Sequence, residues 1–488
     1  MRASGILMHI TSLPSPYGVG TMGKESYYFI DFLKKAGQKY WQILPLTPTG
    51  YGDSPYQSCS TYAGNHYLID LDMLVEEGLL EKEEIVACNW GDDPNRVDFG
   101  LLYESRLKVL RKAYMRFGDT ESLDAFCRSN DFWLPDFALF MAIKEQKNGM
   151  PWYQWDEPLK RRQPEAIWQA RQALKEEMRF YCFVQYLFDR QWNDLRAYAH
   201  SKGISIIGDV PIYVPYDSAD VWANPEWFKL DETLTPTDVA GCPPDYFNAD
   251  GQLWGNPLYR WDLLKKDGYG WWLRRLQAAA SRYDVIRIDH FRGFAGFYAI
   301  PFGAENARNG QWMTGPGLEF IEIVKKYLPD TPMIAEDLGF LTEDVHKLRD
   351  DSGYPGMKVL EFAFDADANN LYLPHTYCKK TVCYTGTHDN MPLKQWFAES
   401  PEGTVAFANR YMGNPENPVW GMIRLALSSV ADLAIVQIQD YLELGEEGRM
   451  NFPGTHSSSN WSWRTEAGFC TDALAEKIKN MTCTYGRF

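Results

Sequence analysis

Four short apolar runs in this chain end in ionisable residues. The run at 205–214 carries Asp209, and the run at 284–291 carries Arg287 and Asp289. Those at 333–338 and 381–389 carry Glu336 with Asp337 and His388 with Asp389. Charge placed just beyond buried apolar residues costs free energy unless it is paired or used. Several carboxylates with an arginine and a histidine form the inventory for glycoside chemistry. One carboxylate attacks the anomeric carbon, a second donates and then accepts a proton, and a third holds substrate hydroxyls. That chemistry requires no cofactor, and none is expected here.

Each residue also has a plainer reading. Asp209 alone suits a strand-end acid that caps the next helix. Asp289 fits that role less well, because Arg287 and His290 surround it. Glu336 and Asp337 are adjacent, so on a strand they point to opposite sides and only one faces a mouth; the pattern leaves open which. His388, with Asp389 and His290 as partners, lacks the H-x-H or H-E-x-x-H spacing of a metal site, and no metal is expected. No G-x-S-x-G elbow supports a serine hydrolase.

The elements that must position these residues follow from the apolar pattern. Eight β-branched runs occur, at 5–13, 40–46, 205–214, 284–291, 333–338, 357–364, 381–389 and 433–442. Helical patterns precede several, as at 180–202, where Phe183, Leu187, Trp192, Leu195 and Tyr198 recur at helical spacing, and at 318–328. Near-continuous apolar strands alternating with helices imply parallel strands buried on both faces. Eight of them predict an α/β fold, a (β/α)8 TIM barrel spanning 1–488 as one catalytic unit. A doubly wound open sheet is the alternative, but no Gly-rich phosphate loop opens a helix. Large insertions should leave the C-terminal ends of the strands, where barrels keep their active sites. A mostly helical insertion is expected at 47–177 after the second strand, and a cleft-shaping one at 215–283 after the third. A further long connection runs over 292–317.

Composition narrows the partners. The formal net charge is -16, which repels phosphate backbones and anionic lipid, so neither nucleic acid nor membrane is an expected partner. No apolar stretch is long enough to span a bilayer. The 18 Trp and 29 Tyr favour a neutral, flat-faced ligand such as a sugar only slightly, because large barrels also bury aromatics. Nine scattered Cys without a C-x-x-C pair suit reduced thiols, and a cytoplasmic location is expected.

The motifs together resemble the 4-α-glucanotransferase family (amylomaltase, or disproportionating enzyme) of the α-amylase-like clan. Val285-Ile-Arg287-Ile-Asp289-His290-Phe-Arg-Gly293 resembles its nucleophile strand, Ala335-Glu336-Asp337-Leu-Gly339 its acid/base strand, and Gly386-Thr-His388-Asp389-Asn390 the strand of its third carboxylate. Tyr246-Phe247 and Gly251-Gln-Leu-Trp254-Gly-Asn256-Pro257 resemble the loop over its cleft. Ser54-Pro-Tyr56 and Ala63-Gly-Asn65 resemble its donor-sugar loop, with His66 where the family pattern has Pro. Met450-Asn451-Phe-Pro-Gly-Thr455 and Asn460-Trp461 resemble its C-terminal signature. The resemblance covers nearly the whole chain.

It implies a retaining transfer of α-1,4-glucan segments. Asp289 would be the nucleophile, Glu336 the acid/base, and Asp389 the group that stabilises the distorted sugar. Arg287 would hold Asp289 ionised, and His290 and His388 would donate to substrate hydroxyls. Asp209 and Tyr56 would line the donor subsite, while Tyr246, Phe247, Trp254 and Asn256 belong to the covering loop. Maltooligosaccharides, amylose or other α-1,4-glucans would be donors, and glucose an acceptor. Two competing readings use the same barrel: a hydrolase with water as acceptor, and a non-catalytic glucan binder, which predicts loss of at least one of the three acids.

Overall fold

The computed structural model describes residues 2–244, 249–339, 341–365, 367–455 and 457–488. Eight parallel strands close into a barrel: β1 (Ala3–Leu7), β2 (Tyr40–Gln42), β3 (Ser205–Val210), β4 (Val285–Ile288), β5 (Met333–Ala335), β6 (Gly356–Val359), β7 (Thr381–Tyr384) and β8 (Leu433–Gln437). Neighbours in the ring are neighbours in sequence, and β8 pairs with β1 from Ala3↔Leu433 to Leu7↔Gln437 to complete it. Each of the eight apolar runs overlaps one strand, two of which, β1 and β6, begin before their runs. The connection from β6 to β7 departs from the alternation: it carries two short 3-10 turns and no α-helix among its described residues.

The runs outlast the strands. β4 stops at Ile288 although Phe291 is fully buried, and β6 stops at Val359 although Leu360 is fully buried. β8 passes directly into the helix Ile438–Tyr441. Beyond the rim the chain is still covered by the long connections, and an apolar run reports burial, not strand pairing.

Local packing explains which way each strand faces. On β4, Ile286 and Ile288 alternate with Arg287, so the isoleucines share one side of the barrel wall and Arg287 the other. On β3, a Cβ at Gly208 would lie 2.2 Å from the Tyr283 ring, so only glycine lets that ring pack against the wall.

Between β2 and β3, residues 47–177 form helices at Leu71–Glu76, Lys82–Val86, Phe99–Arg116, Thr120–Ser129, Leu134–Gln146 and Pro164–Ala173, besides shorter turns. The helix Leu134–Gln146 packs on Lys175–Ser201, which buries Phe183, Leu187, Trp192 and Leu195 and leads into β3. At the family departure, His66 opens a 3-10 turn that Asn65 caps by accepting from the Tyr67 N–H at 2.9 Å. A side-chain cap thus orders the position where proline would have fixed the backbone.

A second, four-stranded antiparallel sheet was not evident in the sequence. Its order is Gln252–Pro257, Asp238–Cys242, Gly296–Pro301, Gln311–Thr314, so it draws on both long connections that flank β4. Many of the aromatics build cores: Trp41, Trp152, Trp192, Trp222, Trp271 and Trp272 are fully buried.

Candidate active site

Strand register brings the first three charges together. Asp209 and Arg287 are direct partners across β3 and β4. Asp289 lies two residues beyond Arg287, on the same side of the chain. The Arg287 Nη1 group donates to Asp209 Oδ2 at 2.6 Å and to Asp289 Oδ1 at 3.1 Å. Tyr56 Oη also donates to Asp209 Oδ2, at 2.8 Å. Asp209 is no helix cap: the next helix, Ala219–Ala223, is capped by the Ser218 hydroxyl. Its Oδ1 has no hydrogen-bond partner among the described residues. Asp209 and Arg287 are deeply buried, whereas 28% of the Asp289 side chain is exposed. The inner pair therefore acts as a fixed base for the outer carboxylate.

The structure separates the two adjacent acids that follow β5. Asp337 turns into the wall, where Oδ1 accepts from the Met357 N–H at 2.7 Å and Oδ2 from Arg349 Nη1 at 2.8 Å. A Cβ at Gly356 would sit 2.6 Å from Asp337 Oδ2, so glycine is required for that approach. Glu336 turns towards β4: Oε2 accepts from the His290 N–H at 2.6 Å and Oε1 from the Leu338 N–H at 3.0 Å. The His290 backbone is left-handed (φ 53°), a conformation uncommon outside glycine, and it aims that N–H at the carboxyl. Burial pushes the Glu336 carboxyl up to about 7, against the pull of Arg287. Burial also raises Asp289, and Arg287 opposes it directly.

Asp389 lies on the loop after β7, with 47% of its side chain exposed. Asn451 Nδ2 donates to its Oδ1 at 2.7 Å, and His388 Nε2 lies 3.6 Å from the same oxygen. The His388 ring stacks on Tyr56, with centroids 5.1 Å apart and planes 15° apart, and Trp461 packs against both. Trp461 is itself left-handed (φ 64°), held by its N–H to the Met450 carbonyl at 2.7 Å. Burial lowers both His388 and His290, the latter to about 3, so both imidazoles are neutral donors and acceptors near neutral pH. His9, behind His388, is held neutral in the same way.

On the other side, Trp254 meets the His290 ring edge-on at 4.8 Å, and Tyr213 lies beside both. Asn256 is buried, and its Oδ1 accepts from Gln57 Nε2 at 3.3 Å, which ties the 252–257 strand to the loop of Tyr56. Tyr246 and Phe247 lie outside the described residues. Among the described residues no group of three or more His, Cys, Asp or Glu side chains is arranged to hold a metal.

Asn451, Trp461, Tyr213 and His9 joined this site without having been singled out as candidates for it. Asn451 and Trp461 lie within motifs that carried the family resemblance, but their spacing announced no chemistry. The arrangement offers a guanidinium-anchored carboxylate, a carboxyl protonatable near neutral pH just beyond the next strand, and a third, more exposed carboxylate beside His388 and Asn451. It suits acid-assisted displacement at a sugar carbon.

The chain is also similar to known proteins. Residues 8–470 match the family model described as 4-alpha-glucanotransferase. The chain is 47% identical over 488 residues to the 4-alpha-glucanotransferase of Clostridium butyricum, covering 98% of this chain and 100% of that one. It is 48% identical to the Thermus thermophilus 4-alpha-glucanotransferase, covering 98% of each. Among solved structures it is similar to the amylomaltase from Streptococcus agalactiae in complex with acarbose, with a TM-score of 0.97, 43% identity and complete coverage of both chains.

Proposed function

The chain belongs to the 4-α-glucanotransferase family, and from that premise we propose that it moves α-1,4-glucan segments to the 4-hydroxyl of an acceptor glucan or glucose, with retention, through a glycosyl ester on Asp289. Glu336 gives its proton to the glycosidic oxygen as the bond from C1 to that oxygen breaks and the Asp289 carboxylate bonds to C1. The acceptor 4-hydroxyl then attacks C1, the ester bond breaks, and the Glu336 carboxylate takes the hydroxyl proton.

This scheme needs one proton shared between Asp289 and Glu336, and the surroundings favour one placement. Asp289 has a guanidinium at 3.1 Å and an open flank, whereas no cationic side chain bonds Glu336 among the described residues. The proton belongs on Glu336, and Asp289 is the nucleophile. Asp389, steadied by Asn451, holds hydroxyls of the distorted sugar. Tyr56 and His388 line the donor sugar, and His290 donates to a substrate hydroxyl; Asp209, expected from the sequence to line the same subsite, is buried beneath it and acts through Tyr56 and Arg287. Trp254 and Asn256 cover the acceptor side.

The observation that carries the reading is the single Arg287 Nη1 shared by Asp209 and Asp289, one strand away from a carboxyl pushed to about 7. Maltotriose tests it. Glucose together with oligomers longer than maltotriose is the expected result. Hydrolysis alone would reassign the enzyme to water as acceptor, and no reaction would leave only a glucan-binding barrel. Among the described residues no helix is long and apolar enough to cross a membrane. None of the nine cysteines is in a disulfide among the described residues, which suits a reducing compartment, and we place the enzyme in the cytoplasm.

A further inference from the structure

One fully buried carboxyl lies outside the reaction scheme. Asp440 sits on the short helix Ile438–Tyr441 that follows β8, with none of its surface exposed. Its Oδ2 accepts from the Thr385 hydroxyl at 2.6 Å, and its Oδ1 accepts from the Leu393 N–H at 2.7 Å. Thr385 immediately follows β7, and Leu393 begins the next helix. The residues between them, 386–392, contain His388 and Asp389. A single side chain thus ties together both ends of the loop that presents the third carboxylate.

The loop has further supports. Gln437, the last residue of β8, donates from Nε2 to the Met391 carbonyl at 3.1 Å. A Cβ at Gly386 would lie 2.4 Å from Glu361 Oε1 and 2.6 Å from Gln437 Nε2, so the loop rests directly on these two side chains. Asn390 Oδ1 accepts from the Thr387 N–H at 3.0 Å and its hydroxyl at 2.8 Å, which closes the loop tip on itself. Thr387 Oγ1 in turn accepts from the Asp389 N–H at 3.3 Å. Asp389 itself is nearly half exposed, and at its tip Asn451 Nδ2 donates to Oδ1 at 2.7 Å while His388 Nε2 stands off at 3.6 Å. Its placement therefore depends on the loop backbone, and the backbone ends depend on Asp440.

We infer that Asp440 is a positioning residue for Asp389: it never touches substrate, but its two hydrogen bonds fix the span between Thr385 and Leu393 and so the location of the Asp389 carboxylate. Geometry of this kind matters to rate, because a misplacement of about 1 Å at a reacting centre costs on the order of 100-fold. Asp440→Asn keeps the shape and one acceptor oxygen, but turns the other acceptor into a donor. Thr385→Val removes only the hydroxyl.

The inference rests on the role proposed above for Asp389, so the test is a double-mutant cycle that reports on both. The rate of loading is measured with an α-maltosyl fluoride donor, which keeps weak variants measurable because its leaving group needs no proton. Asp440→Asn should lower kcat about tenfold or more with little change in KM, and Thr385→Val should lower it less. In an Asp389→Asn background, Asp440→Asn and Thr385→Val should cost nothing further in kcat, while their effects on Tm persist. Equal fold-losses in both backgrounds would show that Asp440 acts independently of Asp389 and would overturn the inference alone. An Asp389→Asn variant with the wild-type rate would remove Asp389 from the reaction and take this inference with it. If Asp440→Asn fails to fold, the Thr385→Val cycle decides the matter by the same criterion.

Discussion

The two walls of the cleft are built differently. One wall, carrying Tyr56, Asp209, Arg287 and His388, grows from barrel strands and the turns next to them, and its polar atoms are tied to one another. Tyr56 and Arg287 meet on one oxygen of Asp209, and Tyr56 stacks on His388. The other wall, carrying Trp254 and Asn256, grows from the antiparallel sheet that the long connections form. There the strand Gln252–Pro257 is half exposed along much of its length, and Trp254 is positioned by ring edges and one hydrogen bond to Gln252 at 3.1 Å. A wall that must hold a strained sugar benefits from rigid, ionic construction on the scaffold. A wall that must admit chains of varying length benefits from construction on loops. The difference predicts that damage to the first wall and its acids stops the reaction, whereas damage to the second redirects it.

The largest effects should come from the acids themselves. Asp289→Asn should abolish transfer, lowering it on the order of 10⁴-fold or more, while glucan binding, which uses many other contacts, remains largely intact by calorimetry. Glu336→Gln should lower transfer from ordinary glucans about 10²–10⁴-fold. It should still load from a glycosyl fluoride, because that leaving group departs without a proton. Equal loss on both donor types would contradict the assignment of Glu336 as the acid.

A smaller and more graded effect should follow pH. Glu336, pushed to about 7, carries its proton below that value and loses it above. Cleavage of ordinary donors requires the proton, so kcat/KM should fall about tenfold for each pH unit above 7. Loading from a glycosyl fluoride should lack this alkaline limb. An identical limb for both donors would place the titration on some other group.

The eight strands were legible because parallel strands buried on both faces leave continuous apolar runs. The acids that end them were legible because charge beside such runs is conspicuous. The choice between Glu336 and Asp337 was not, because it depends on Arg349 and Met357, which reach Asp337 only in the folded barrel. Asn451 was hidden for a similar reason: it meets Asp389 across 62 residues of sequence, and only barrel closure brings them together. The antiparallel sheet escaped because its strands are four to six residues long and mostly lack a clean alternation of buried and exposed positions. The left-handed Trp461 had no signal at all, since a bulky residue at positive φ contradicts local preference and is imposed by its surroundings.

The smallest effect should be the most diagnostic of the second wall. The glycosyl ester is reactive and water is abundant, so transfer wins only where an acceptor sugar reaches C1 and Glu336 more productively than water does. An oriented acceptor gains effective concentration, and a covering wall lowers the competing access of water. Trp254 supplies a partly open ring beside His290, at the rim of the site that holds Glu336. A stacked ring contributes about 0.5–1.5 kcal/mol beyond simple burial, which corresponds to a factor of about two to ten in partitioning. Trp254→Ala should therefore lower the ratio of transfer products to hydrolytic glucose by about that factor, and lower the rate of donor cleavage less. Phe247→Ala should do the same more weakly. If Trp254 serves only to pack the sheet onto the barrel, transfer and hydrolysis should fall together and Tm should drop. Measuring both products and Tm in the same Trp254→Ala preparation separates the two cases, and an unchanged ratio would remove the second wall from acceptor selection.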